Sequence, residues 1–170
     1  ITGATHPESG LPLKRTEIVA EVTIYGLEGS ARLPLGAFVA ESSFTWLRGK
    51  NHQDDEALYQ MPAPELTLGI GQPAQRGFYW HAQLRAVAEQ DRVATRFSNG
   101  TEDVTSGFVT ADAELGWRFG ALAAFDTTTL AVGVHNLADK RYHEHLTEGV
   151  SGRELAAPGR GITLSLSGSF

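Results

Sequence analysis

The chain has 170 residues, a formal net charge of -6 and no cysteine. That length suits one domain. The acidic balance without any Lys/Arg cluster argues against a nucleic-acid partner, and the missing thiols remove zinc-thiolate sites, disulfide frameworks and Cys nucleophiles. No apolar run approaches the roughly 18 residues of a spanning helix, which leaves spanning strands open, because half of such a strand is polar.

Residues 1 to 15 carry Gly3, Pro7, Gly10 and Pro12 and read as a loop, with no signal peptide. About seven predicted strands follow, each alternating with the period of two that a strand imposes on its side chains. In Glu17 to Leu33, Leu27, Ala31 and Leu33 oppose Glu28, Ser30 and Arg32. Its opening, IVAEVTIY, does not hold one phase, which predicts a bulge near Gly26. Phe38 to Arg48 sets Phe38, Ala40, Phe44 and Trp46 against Glu41, Ser43 and Thr45. Pro64 to Gly71 and Phe78 to Arg92 continue the pattern, the latter with Trp80, Ala82 and Leu84 against His81, Gln83 and Arg85. Phe108 to Phe119 places Val109, Leu115 and Trp117 opposite Thr110, Asp112 and Glu114. Thr128 to Asn136 and a last strand, GRGITLSLSGSF, close the series on Phe170.

The connections alternate strictly between short (34–36, 72–77, 120–127) and long polar ones (51–63, 94–106, 137–158). Short periplasmic turns alternating with long external loops are the pattern of an outer-membrane β-barrel. Phe38, Phe78, Phe119 and the terminal Phe170 all fall near the short turns, as an interfacial girdle would. A soluble β-sandwich is the rival, but its strands average about 5 to 6 residues, whereas these run roughly 8 to 15. Single-chain bacterial barrels have an even strand count, so seven strands entered from the external side predict that earlier strands are absent from this sequence. The polar faces of adjacent strands carry Arg85, Glu89, Asp112, Glu114 and Arg118, which should share the lumen, with Arg85 expected to pair with Glu114. A charge on the outward face, as in Leu115→Arg, should destabilise the barrel, while the same change at Thr110 should be tolerated.

Val134 to Leu146, VHNLADKRYHEHL, resembles the carboxy-terminal barrel of TonB-dependent outer-membrane receptors. The residues that carry the likeness are Asn136, Leu137, Asp139, Lys140 and Tyr142, then Pro158, Gly159 and Arg160, then Phe170. Ala138 departs from it where an aromatic is more usual. Gly26-Leu27-Glu28 is similar to the family's G-x-E strand motif, and the segments 48–51, 60–62 and 85–93 resemble a branch that includes copper receptors. The resemblance implies an all-β, antiparallel transmembrane barrel of about 22 strands around a plug, of which residues 1–170 are the carboxy-terminal portion without plug or earlier strands. It implies residence in the bacterial outer membrane, contact with membrane lipid, engagement of the barrel-assembly machinery by the last strand, and energy from periplasmic TonB through the plug.

The function so implied is active uptake of a scarce metal complex, a ferric siderophore or a copper species, with no resident cofactor and no covalent chemistry. A passive porin-like or structural barrel is the alternative. An enzyme is disfavoured, since no G-x-S-x-G elbow or ordered triad is readable. His52, Asp54, Asp55 and Met61 on one loop, and His143 and His145 on another, are candidate metal ligands, because imidazole, carboxylate and thioether suit transition metals. Each set also reads as an ordinary solvated loop. His143-Glu144-His145 lacks zincin spacing, and Asp54-Asp55-Glu56 lacks that of a calcium loop. The family-motif residues Gly26, Glu28, Asn136, Asp139, Tyr142, Pro158, Gly159, Arg160 and Phe170 read as barrel architecture, with Asn136 and Asp139 placed to cap backbone that turns out of the sheet.

Overall fold

The computed structural model describes residues 7, 10, 21–98, 100–121, 125–147 and 155–170. The predicted loop at 1–15 (apart from those two residues) and the start of the first predicted strand lie outside them. The strands are β1 (Val22–Leu35), β2 (Phe38–Asn51), β3 (Glu56–Ala57), β4 (Glu65–Gln72), β5 (Gly77–Val87), β6 (Phe108–Phe119), β7 (Thr127–His135) and β8 (Gly161–Ser169). All pair antiparallel in the order β1-β2-β4-β5-β6-β7-β8, with the two-residue β3 on the end of β2. The seven long strands match the alternation of the sequence. The short β3 is an addition, held by pairs to Lys50 and Asn51. Among the described residues β1 and β8 each lack a second neighbour, so the sheet is an open segment of barrel wall.

The registers make one face apolar from edge to edge. Phe44 pairs with Gly29 and Leu66, Leu66 with Ala86, and Ala86 with Val109. Further along, Trp80 pairs with Leu115, Leu115 with Val132, and Val132 with Leu164. Directly opposed residues share a face, so every large apolar side chain in these rows points the same way. Apart from the half-buried Trp80, those side chains stand exposed. A soluble protein rarely leaves so broad an apolar surface uncovered, and hydrocarbon outside the wall would remove the cost. The other face carries Glu41, Glu65, His81, Arg85, Asp112, Glu114 and Arg118.

Short connections gather at one end and long ones at the other. β1 turns into β2 through Gly36 and Ala37, with Gly36 at φ +65, as the first position of a type II′ hairpin requires. Aromatic contacts cluster at this end: Phe38 with Trp80 at 6.0 Å, Trp117 with Phe119 at 6.5 Å, and Phe125 with Phe170 at 6.4 Å between ring centroids. At the long-loop end of the outward face, Tyr25 meets Trp46 edge-on at 5.8 Å, and Arg48 lies over Trp46 at 5.7 Å.

Several local expectations are corrected. No bulge occurs near Gly26, because the β1–β2 register runs unbroken from Val22↔Asn51 to Leu35↔Phe38. The change of apolar phase at Val22 and Ile24 lies beyond the Tyr25–Trp46 level, where the face no longer has to be continuous. Gly26 instead permits close approach, since a Cβ there would strike the Trp46 carbonyl and the Leu47 side chain. β5 ends at Val87 and not at Arg92, because its last opposed residues are Glu65 and Phe108. Glu89 therefore lies past the strand. Arg85 does not pair with Glu114: the register sets Arg85 against Thr110 and leaves Glu114 opposite His81.

Candidate functional site

The polar face and the three long loops meet at the long-loop end, and an arginine marks the junction. Arg85 projects from β5 and donates to Glu144 of the 136–160 loop at 2.5 and 3.1 Å, and to Glu65 of β4 at 2.7 Å. The planar guanidinium fork suits a bidentate carboxylate. The same group lies 5.3 Å over the Phe108 ring, which stacks on Tyr142 at 4.1 Å. Strand, wall and final loop are thus joined through one cation.

Carboxylates tie the loops to each other. Glu56 accepts the backbone N–H groups of Thr95, Arg96 and Phe97 at 2.7, 2.9 and 2.8 Å, and the Thr95 hydroxyl at 3.2 Å. Burial pushes its carboxyl up, but the donors from Arg96, Phe97 and Thr95 outweigh it and hold the group below the usual range. Glu102 accepts the N–H of Gln60 at 2.6 Å and of Ala94 at 2.5 Å, and faces His145 Nε2 at 3.2 Å. The His145 and Glu102 side chains are only 4% and 5% exposed. Because a carboxylate only accepts, the proton between them sits on Nε2, and Nδ1 meets the Thr105 hydroxyl at 2.9 Å. Gln90, almost fully buried, donates to the carbonyls of Met61 and Pro62 at 2.8 and 3.1 Å, and its backbone bridges Thr105.

The family-motif segment makes a third knot. Asn136 and Asp139 both adopt positive φ, +50 and +52. Asn136 receives the Lys140 N–H at 2.9 Å and donates to the carbonyls of Lys140 and Pro158 at 2.9 and 3.4 Å. Asp139 accepts the Arg160 N–H at 2.8 Å, and a Cβ on Gly159 would come within 2.7 Å of the same carboxylate oxygen. Tyr142 takes the Phe108 stack, Glu28 lies opposite Thr45, and Phe170 touches Phe125.

The candidate metal ligands do not converge. His52 shares a hydrogen bond with the Thr23 hydroxyl at 2.8 Å, and Asp54 accepts from Asn51 at 2.9 Å. Asp55 pairs with Lys50 at 2.6 Å; that hydrogen bond and charge hold its carboxyl below the usual range. Met61 is buried against Gly49. His143 sits on a bridge to Ala156, while His145 is bound to Glu102 and Thr105. Among the described residues, no group of three or more His, Asp or Glu side chains is spaced to hold a metal ion. Glu102 and Gln90 escaped sequence reasoning, because no periodicity or motif marks a loop residue whose side chain bonds the backbone of another loop.

A family model described as "TonB dependent receptor-like, beta-barrel" matches residues 3–137. Among solved structures, a "Copper transporter OprC" is similar at 28% identity and a TM-score of 0.75, over 88% of this chain and 23% of that one. A ferric citrate transporter, FecA, in its unliganded form is similar in fold at 19% identity and a TM-score of 0.65, over 85% of this chain and 23% of that one. The chain therefore spans under a quarter of the length of either transporter. No curated protein matches. With one apolar and one polar face on long antiparallel strands, alternating connections, and a family match over most of its length, the chain belongs to the TonB-dependent receptor-like β-barrel family.

Proposed function

We propose that this chain forms the carboxy-terminal part of an outer-membrane receptor that takes up a scarce metal complex, with a copper species ahead of a ferric siderophore. The observation that carries the reading is the knot of three long loops at one end of the polar face, tied by Arg85, Glu56 and Glu102. Loops held by buried polar bonds form a standing rim, and such a rim suits capture of a dilute solute before transport. Copper is preferred for the 28% identity to a copper transporter.

In this reading the outward face contacts lipid, β8 with Phe170 presents the assembly signal to the barrel-assembly machinery, and a plug outside this chain couples to TonB. His52, Asp54, Asp55 and His143 are the candidate contacts for the complex. Met61 and His145, being buried, act only if the loops rearrange. No covalent step is assigned.

The test uses cells expressing the full-length receptor and measures uptake of radioactive copper and of ferric citrate, with and without a protonophore. Energy-dependent copper uptake that vanishes on deletion of the receptor supports the proposal. Uptake indifferent to the protonophore selects the passive barrel, and energy-dependent ferric citrate uptake alone replaces the copper assignment.

A further inference from the structure

Three arginines of the long strands face inward, and two of them are neutralised within the wall. Arg32 pairs with Glu41, and Arg85 with Glu65 and Glu144. Arg118, at the short-turn end of β6, touches neutral groups among the described residues: it donates to the Ala74 carbonyl at 2.7 Å and lies 5.5 Å over the Tyr79 ring. Glu114, the next acid on the same face of β6, stands four residues away, about 13 Å at the rise of a strand. Arg76, on the turn before β5, lays its guanidinium against Gly120, where a Cβ would strike it. A second cation therefore stands at the same end.

A trough of about 430 Å³ opens beside Arg118 on the polar face. Gln75 from the β4–β5 turn, Thr127 and Thr129 from β7, and Ser167 and Ser169 from β8 complete its lining. The register builds it. Arg118 pairs with Thr129 and Thr129 with Ser167, while in the next row toward the turns Thr127 pairs with Ser169, their hydroxyls 2.8 Å apart. Among the described residues no carboxylate lines the trough. Guanidinium, amide and hydroxyl can all donate, whereas a carboxylate only accepts. A guanidinium with hydroxyls beside it matches a carboxylate or phosphate oxygen, and it repels a bare metal cation.

We propose that this trough is an anion subsite at the inner mouth of the lumen, where a carboxylate or phosphate group of the transported complex rests before release to the periplasm. The identity of what passes rests on the uptake reading above; the preference for anions does not. Along the wall, an anion leaving the external loops first passes Arg85, which already holds two carboxylates. It meets a guanidinium without one only at the far end, at Arg118. The charge pattern so favours movement inward.

The experiment uses the full-length receptor in mild detergent, with Ser167→Cys as the reporter, since this chain has no cysteine of its own. Its modification by an anionic and by a cationic methanethiosulfonate is timed, each rate corrected for that of a free thiol and for the receptor without Ser167→Cys. The anionic reagent should react about tenfold faster, the low end of what a cleft lined by one sign of charge provides. Citrate, a tricarboxylate, should slow it, and chloride at the same ionic strength should not. Arg118→Gln added to the reporter should bring the two rates together and abolish the citrate effect, while Arg118→Lys should preserve both. Equal rates in the Ser167→Cys receptor, a preference that survives Arg118→Gln, or absence of citrate protection overturns the proposal. So does a folded receptor in which neither reagent reacts, which assigns the trough to the plug. Heat-modifiable migration on a gel checks folding, and Gln75→Glu, which sets a carboxylate in the lining, replaces Arg118→Gln if that variant does not fold. A receptor that takes up no metal complex refutes the function proposed above, whereas these rates decide the subsite by themselves.

Discussion

Leu84 and Gln83 are neighbours on β5 that face opposite sides of the wall, which makes them a matched pair for testing which side meets lipid. Leu84 sits near the middle of the strand, opposed by Leu68 and Ala111, with Ala82 and Ala86 the next residues on its face. An arginine there would have to reach the level of Trp80 at one end or of Trp46 at the other to find a polar boundary. Each is four residues away, Trp46 counted along β2 from Ser42, which shares the level of Leu84 through Leu68; that is about 13 Å at the rise of a strand, farther than the side chain extends. Leu84→Arg should therefore cost about 3 kcal/mol, within the range for a cation at the midplane of a barrel. Gln83 lies opposite Asp112 on the polar face, and Gln83→Arg gains a partner, so its effect should stay within about 0.5 kcal/mol. The assay is guanidinium unfolding of the full-length receptor refolded into liposomes, followed by tryptophan fluorescence. Equal loss in both variants, or a greater loss for Gln83→Arg, would refute the assignment of faces. Leu115→Arg belongs with Leu84→Arg, but Thr110 is no neutral control: it is buried opposite Arg85, so a large residue there should also destabilise.

Arg85→Met should loosen the final loop without unfolding the wall. The pairs it breaks are about a quarter to a third exposed, so the loss is about 1–2 kcal/mol and not the 3–5 of a fully buried pair; hydrogen exchange across 142–146 should rise about tenfold, and unchanged exchange would contradict the anchoring role. Glu56 gives a pH dependence. Its folded pKa lies below the ordinary 4.5, so its contribution is complete above the unfolded value and fades as pH falls through the lower folded one. Amide protection at Thr95, Arg96 and Phe97, corrected for intrinsic rates, should fall progressively as the pH drops below that ordinary value, and Glu56→Gln should lose that protection at neutral pH; a pH-independent variant as protected as the parent would show that the carboxylate is idle. Gly159→Ala should displace the Asp139 carboxylate from Arg160 and raise protease sensitivity of the 136–160 loop, whereas native resistance would mean the contact relaxes freely.

Much of the wall was legible in one dimension, because a strand with lipid on one side and a polar lumen on the other writes its environment into alternate residues. Phe108 to Phe119 could be read to its final boundaries for that reason. Boundaries failed where alternation persisted but partners did not, as at β5, whose apolar pattern outlasts Glu65 and Phe108 opposite it. The Gly26 bulge failed for a related reason: a phase change in sequence was taken for a break in pairing, though the pairing continues past the level where phase matters. The loops were the least legible part. Glu102 is an unremarkable acid in sequence, yet it bonds Gln60, Ala94 and His145.

The sequence by itself determined the seven long strands, the face their residues take, the alternation of connections and the family, because all of these follow from local period and local motif. Only the tertiary structure decided which charges pair and whether the loops stand apart or knit together. The partners of Arg85 lie 20 and 59 residues away. Register, which slides one strand past another in whole residues, brings Glu65 beside Arg85, and the path of the last loop brings Glu144; no single strand contains either.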